Sequence, residues 1–135
     1  MTRNKGQSSD ARRRRRLLAG DLMCFLLATL IGFATHQELE LAAGLRFLAT
    51  LIPFSAAWLL VAPAMGAYGG HPGPRWLRLG RAAWAAAVSA PLGAWLRAAA
   101  LGGVVLPVFI LIMAAVTSGL VLAWRLAEEL LFGPR

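Results

Sequence analysis

Cysteine, histidine and acidic side chains are scarce in this chain: one Cys, two His and six Asp+Glu among 135 residues. The single cysteine, Cys24, excludes an intrachain disulfide framework and any metal site built on a cysteine cluster. No Ser/His/Asp set, no phosphate-cradling glycine loop and no metal-spaced His/Cys/Asp/Glu cluster is present. The chain is therefore not expected to be an enzyme, and no cofactor or metal is expected. Charge is scarce as well. Only 15 % of residues are charged, against about 25 % in an average soluble domain.

Apolar side chains take up what is missing. They make up 59 % of the chain, and the mean hydropathy is +0.63. A chain this short cannot bury that share in its own core, because small domains leave much of their surface exposed. A soluble basic domain is excluded on that ground, and an integral membrane protein is expected. The formal charge of +8 does not point to nucleic acid. Seven of the 14 basic residues lie in the first 16 positions and the rest flank apolar runs, which is a topology pattern and not a groove-tracking stripe.

Residues 1–16 read as a disordered basic cytoplasmic tail. Its run Arg12, Arg13, Arg14, Arg15 and Arg16 is either a topology signal alone or a site for anionic lipid head groups, worth about 1 kcal/mol per charge. Crossing a bilayer core of about 30 Å takes about 20 helical residues. Four segments within residues 17–126 meet that length: Leu17–Thr35, Phe47–Met65 (starting as early as Leu41), Leu79–Leu101 and Val104–Leu126. The linkers are short, and two are glycine-rich: Gly69 to Pro74, and Gly102-Gly103. Residues 127–135 form a short cytoplasmic C-terminal tail. A cleaved signal peptide is not expected, because Asp21 interrupts the first apolar stretch and that stretch is long for an h-region.

The basic residues set the orientation. With the N-terminus inside, twelve of them fall on the inner side and only Arg46 and Arg97 on the outer side. The expected fold is all-α: a multi-pass protein of the bacterial inner (plasma) membrane, with four transmembrane helices in an antiparallel bundle and both termini cytoplasmic.

Polar residues in a membrane are costly, so each needs a reason. Asp21 shares a helix face with Phe25, Ala28 and Gly32 and points into the bundle. It is either a proton- or cation-binding carboxylate or the structural partner of Arg81 or Arg125. Ala28 and Gly32 form a small-residue pair that favours close helix approach. Arg97 shares a face with Ala86, Ala90 and Gly93, where a neighbouring helix should pack. It is an anion-binding or gating arginine, a snorkelling side chain, or an ion-pair partner of Glu38, Glu40 or the His36 end of span one. Trp84, Val88 and Trp95 on the opposite face should meet lipid.

His36 ends span one on the outer side and His71 lies in the inner loop, so they cannot ligate one haem or metal together. Pro53 and Pro91 fall inside spans and can kink them. Ala115, Gly119 and Ala123 read as a packing face. Trp124-Arg125 reads as an interface anchor, with Glu128 and Glu129 solvated beyond it. The candidate functional polar residues are Asp21, His36, Arg97 and Arg125.

The chain resembles a group of small four-span membrane proteins of actinobacterial type, a family known only as a domain of unknown function. The likeness rests on the order and spacing of Asp21, Gly32, Thr35-His36, Pro53-Phe54, Trp58, Arg97 and Trp124-Arg125. In that family a basic residue often follows the glycine matching Gly32; here Phe33 stands there. The resemblance implies a membrane location and no particular activity. A looser likeness to small multidrug transporters rests on four spans with one acidic residue in the first. Their other motifs are missing, and the charge bias is too strong for members that insert both ways.

Two function classes follow. One is a small oligomeric transporter or channel with Asp21 and Arg97 as its polar waypoints. The other is a non-catalytic accessory or assembly subunit whose small-residue faces dock a membrane-protein partner. A third and weaker class is a lipid or quinone binder using the Trp-rich faces.

Overall fold

The computed structural model describes residues 3–35, 41–69 and 73–132. Among the described residues the secondary structure is four α-helices: α1 (Arg3–Thr35), α2 (Leu41–Ala64), α3 (Arg75–Leu101) and α4 (Pro107–Phe132). His36, Glu38, Glu40, His71 and Arg135 lie outside the described residues.

The helix ends have local causes. α2 stops just before Gly66, which takes φ 70°, and the Ala67 N–H turns back to the Ala62 carbonyl at 2.9 Å. α3 ends on Gly102 in the left-handed region, φ 62°, where the N–H groups of Gly102 and Gly103 both reach the Ala98 carbonyl. α4 opens on Pro107 and not on Val104. A proline suits the first helical position, where its missing N–H is not needed. Pro53, Pro63 and Pro91 lie inside helices without ending them.

Pairwise contacts run in opposite directions along every neighbouring pair of helices. Phe25 meets Trp58 and Phe33 meets Phe47 between α1 and α2. Thr50 meets Arg97 and Phe54 meets Gly93 between α2 and α3. Arg78 meets Glu129 and Ala83 meets Ser118 between α3 and α4. Arg16 meets Glu128 and Asp21 meets Arg125 between α4 and α1. The result is an up-down-up-down bundle in which α1 and α3 lie diagonally opposed, without close backbone approach.

Three helices, α1, α2 and α4, are long and apolar enough to cross a membrane. α3 is 27 residues long, but its alanines, tryptophans and four arginines (Arg75, Arg78, Arg81, Arg97) lower its hydropathy. It is nonetheless central to the packing. Ala82, Ala85, Ala86, Ser89, Ala90 and Gly93 are buried along one face, while Trp84, Val88 and Trp95 are exposed on the other, as their spacing predicts. A Cβ on Gly93 would stand 2.7 Å from the Phe54 ring and 3.1 Å from the Phe54 Cα, so that glycine sets how closely α2 approaches α3.

Four expectations need correction. The basic segment is not a disordered tail, since α1 is helical from Arg3. Arginine is a good helix former, and Arg16 is anchored by Glu128 and by the Phe132 ring, 4.2 Å from its guanidinium carbon. Residues 127–132 are likewise part of α4 and not of a tail. Gly32 makes no close approach, because nothing lies within 4 Å of where its Cβ would be. The stripe Ala115, Gly119 and Ala123 faces outward, because the contact face of α4 is Met113, Thr117, Val121, Arg125 and Glu128.

Gly20 shows the reverse. A Cβ there would collide with the Trp124 indole, so α1 and α4 close through that position. Gly20→Val and Gly93→Val are expected to cost about 1–3 kcal/mol each through overpacking. Gly119→Ala is expected to be neutral or stabilising by up to about 1 kcal/mol, since it adds helix propensity into open space. Thermal melting of the purified protein in detergent, followed by circular dichroism, checks the contrast. Equal melting of all three variants would contradict this packing.

Candidate functional site

The two ends of the bundle differ. At one end α1 and α3 begin and α2 and α4 finish; this arginine end is filled with paired charges. Asp21 of α1 is fully buried. Arg125 of α4 donates to it twice, Nε to Oδ1 at 3.0 Å and Nη2 to Oδ2 at 2.6 Å. Such a two-pronged pair matches the planar guanidinium to the carboxylate. The third prong, Nη1, donates to the Ala67 carbonyl at 2.8 Å, in the turn after α2. Tyr68 in the same turn donates its hydroxyl to Asp21 Oδ2 at 2.7 Å and accepts from Trp58 Nε1 at 2.8 Å. Burial, and then the charge of Asp21, push the Tyr68 phenol up, so it stays a hydrogen-bond donor.

Outside this pair lies a second tier. Glu128, almost wholly buried, takes Arg16 at 2.6 Å and Arg13 at 3.6 Å. Glu129 takes Arg75 at 3.0 Å and Arg78 at 3.2 Å. The two glutamates, expected to be solvated, instead tie α4 to α1 and to α3. The reason is position: they lie one helical turn past Arg125, facing the start of both neighbouring helices. Arg125 is likewise a buried partner of Asp21 and not an interface anchor. The space left among these charges, about 30 Å³, has room for little more than a water molecule.

The opposite end holds more space. Between α1, α3 and α4 lies a cavity of about 480 Å³, within the range of about 300–1,000 Å³ usual for small-ligand sites. Its walls are mainly apolar, including Ile31, Val105, Phe109, Ile112 and Val116. Arg97 is the only charged residue lining it among the described residues. The Arg97 Nε donates to Thr50 Oγ1 at 2.8 Å, and its guanidinium carbon lies 5.0 Å from the centre of the Phe109 ring. Gly32 also lines the cavity, and its missing side chain is part of the space.

Of the four sequence candidates, the structure joins Asp21 and Arg125, sets Arg97 apart in the cavity wall, and leaves His36 outside the described residues. The pairing of Asp21 with an arginine of the cytoplasmic-side set was one of the two readings of that residue. Trp58, Ala67, Tyr68 and Glu128 complete the site without having been singled out for it. The usable signal was that Tyr68 is the only tyrosine and lies in the turn on the Asp21 side. Among the described residues no three His, Cys, Asp or Glu side chains come together as a metal site would need.

The family profile described as "Protein of unknown function (DUF3054)" matches residues 18–128. The chain belongs to this family. The match runs from the arginine end of α1 to Glu128 in α4, so it takes in the Asp21–Arg125 pair and the cavity, while Arg13, Arg16 and Glu129 of the second tier lie outside it. It agrees with the resemblance to a small helical family of unknown function. No curated protein and no solved structure matches the chain.

Removing one partner of a buried ion pair strands the other charge and costs about 3–5 kcal/mol. Asp21→Asn and Arg125→Gln are each expected to destabilise this DUF3054 protein by that order. The double variant is expected to cost clearly less than the sum of the two, because neither charge is left alone. Thermal melting of the four proteins in detergent measures the coupling. Simple additivity would mean that the pair does not hold the bundle together.

Proposed function

We propose that this chain is a four-span protein of a bacterial inner membrane, with both termini cytoplasmic, and that it acts as a small transporter. The observation that carries the reading is the asymmetry of the bundle along its axis. One end is shut by two tiers of ion pairs, and the other holds a cavity of ligand size. This is the shape of a carrier resting open to one side. The role is non-enzymatic.

Three features support the topology. α3 packs antiparallel along both α2 and α4, so it shares their depth, and its few charges cluster at its two ends. Leu17–Thr35 of α1 covers about 28 Å at 1.5 Å per residue, close to a bilayer core. The arginine end gathers nearly all the described basic side chains, which supports a cytoplasmic position for that end by the positive-inside rule. There the exposed Arg14 and Arg15 meet anionic head groups. The cavity then opens outward. In this reading Asp21 with Arg125 is the inner gate, and Arg97 is the residue that meets the ligand.

A second reading, a non-catalytic accessory or assembly subunit, is favoured by one observation. The small-residue stripe Ala115, Gly119 and Ala123 faces away from the bundle, where another helix fits closely. A second copy of the chain would use the same stripe in an oligomeric transporter.

Single cysteines test the transporter reading, because the native Cys24 is buried and can be replaced by Ala. Cysteine at Val105 or Ile112 is expected to react with a membrane-impermeant maleimide added outside spheroplasts. Cysteine at Ala67 or Leu17 is expected not to react. Labelling at the arginine end from outside, or none at the cavity positions, would overturn the reading.

A further inference from the structure

We infer that the cavity between α1, α3 and α4 takes a neutral, apolar guest: a small ring compound or a hydrocarbon chain, with no charged group inside. The inference rests on reading this cavity as the ligand chamber, but it does not require transport.

The walls make no unmet polar demand. Their hydroxyls are engaged within their own helices: Thr29 donates to the Phe25 carbonyl, Thr35 to that of Gly32 and Thr50 to that of Arg46. Thr50 Oγ1 also accepts from Arg97 Nε at 2.8 Å. Arg97 lies over the Phe109 ring as well, and it has a further interaction within the chain beyond these two. Its charge therefore does not call for an anionic guest. Among the described residues, the buried side-chain polar atom without a hydrogen bond is Trp124 Nε1, and Trp124 does not line this cavity. The rest of the lining is apolar or glycine.

Chemistry and size then select the guest. A sugar or a peptide would lose its water and gain almost no hydrogen bond in return. An ion of either sign would leave water for walls whose one charge already has its interactions within the chain. A hydrocarbon surface loses nothing there and gains close contacts. Apolar cavities stay dry and accept apolar guests. The volume, about 480 Å³, suits a small organic molecule and far exceeds what one water fills. The recess at the arginine end is the contrast, since it is water-sized and lined by charges. Phe33 and Phe109 in the lining suit a ring. From Phe109 to Val116, both in the lining, α4 rises about 10 Å, which suits a chain. Gly32 deepens the space, since nothing lies within 4 Å of its Cβ position.

The test uses two fluorescent dyes with the same rings: neutral N-phenylnaphthylamine and its anionic relative, anilinonaphthalene sulfonate. Each is titrated against the purified protein in lipid nanodiscs, with empty nanodiscs as the blank, and against delipidated protein in amphipol. Saturable binding of the neutral dye near one per chain is expected, with the sulfonate about tenfold weaker or worse. Gly32→Leu and Val116→Phe fill the space from α1 and from α4, and each should weaken the neutral dye about tenfold or more with little change in melting. The two media separate two sources of the same chemistry. Binding in nanodiscs assigns the cavity to a free lipophile. Binding in amphipol alone, displaced by added phospholipid, assigns it to an acyl chain of a bilayer lipid. Equal or tighter binding of the sulfonate, unchanged binding in both filled variants, or no saturable binding in either medium would overturn the inference. External maleimide access decides the transporter reading separately. Access without binding would sink this inference alone, and binding without access would sink the transporter alone.

Discussion

A carboxylate removed from water stays charged only if donors surround it, and the bundle is arranged to supply them to Asp21. Arg125 reaches it from α4, Tyr68 from the turn after α2, and Trp58 supports Tyr68 from α2. Three helices and a turn are thus fixed by one charge. The turn has to present both the Ala67 carbonyl and the Tyr68 hydroxyl to that charge. It does so because Gly66 lets the backbone turn back sharply at the end of α2. The bidentate pair has a direction, so it fixes the register of α1 against α4 where apolar contacts between smooth helices would allow sliding. A neutral residue at either position would remove that register mark.

Packing extends the same logic along the helices. Gly20 admits the Trp124 indole one residue from each member of the ion pair, and Gly93 admits Phe54 between α2 and α3. Small residues do the work of close approach that the hydrophobic effect does not do between helices in lipid. Where such residues do not meet a neighbour, as at Gly32, space is left. The cavity lies where Gly32 meets no neighbour, between α1, α3 and α4, while α1 still touches α2 through Phe33 and Phe47. Paired charges at one end and a cavity toward the other are two results of one distribution of polar and small side chains.

Several features were legible in the residues. The apolar surplus, the four helical segments and the inward face of Asp21 follow from composition and from a period of 3.6. The buried stripe of α3 follows from its alanine spacing, with tryptophans opposite. Other features were not legible, for reasons that can be named. The stripe Ala115, Gly119 and Ala123 has the spacing of a contact face, yet it faces outward. Arg125 shares its turn with Glu128 and Glu129, and the demand of the three charges for partners rotates α4 so that they face inward. Small size permits contact, whereas a buried charge requires it, and the requirement wins. The basic N-terminal run reads as a disordered tail because no sequence pattern shows that Glu128, 112 residues after Arg16, comes to lie beside it.

By itself the sequence determined the solvent this chain is built for, the number and approximate extent of its helices, and the side on which its charges gather. These depend on residue type and on spacing within one helix, and both can be read along a single segment. Only the tertiary structure decided which arginine answers Asp21, that Tyr68 and Ala67 complete the pair, and that the space beside Arg97 stays open. Those outcomes depend on how each helix is rotated against the next. That rotation is set by the sum of contacts between residues far apart in the chain, and no single helix contains it.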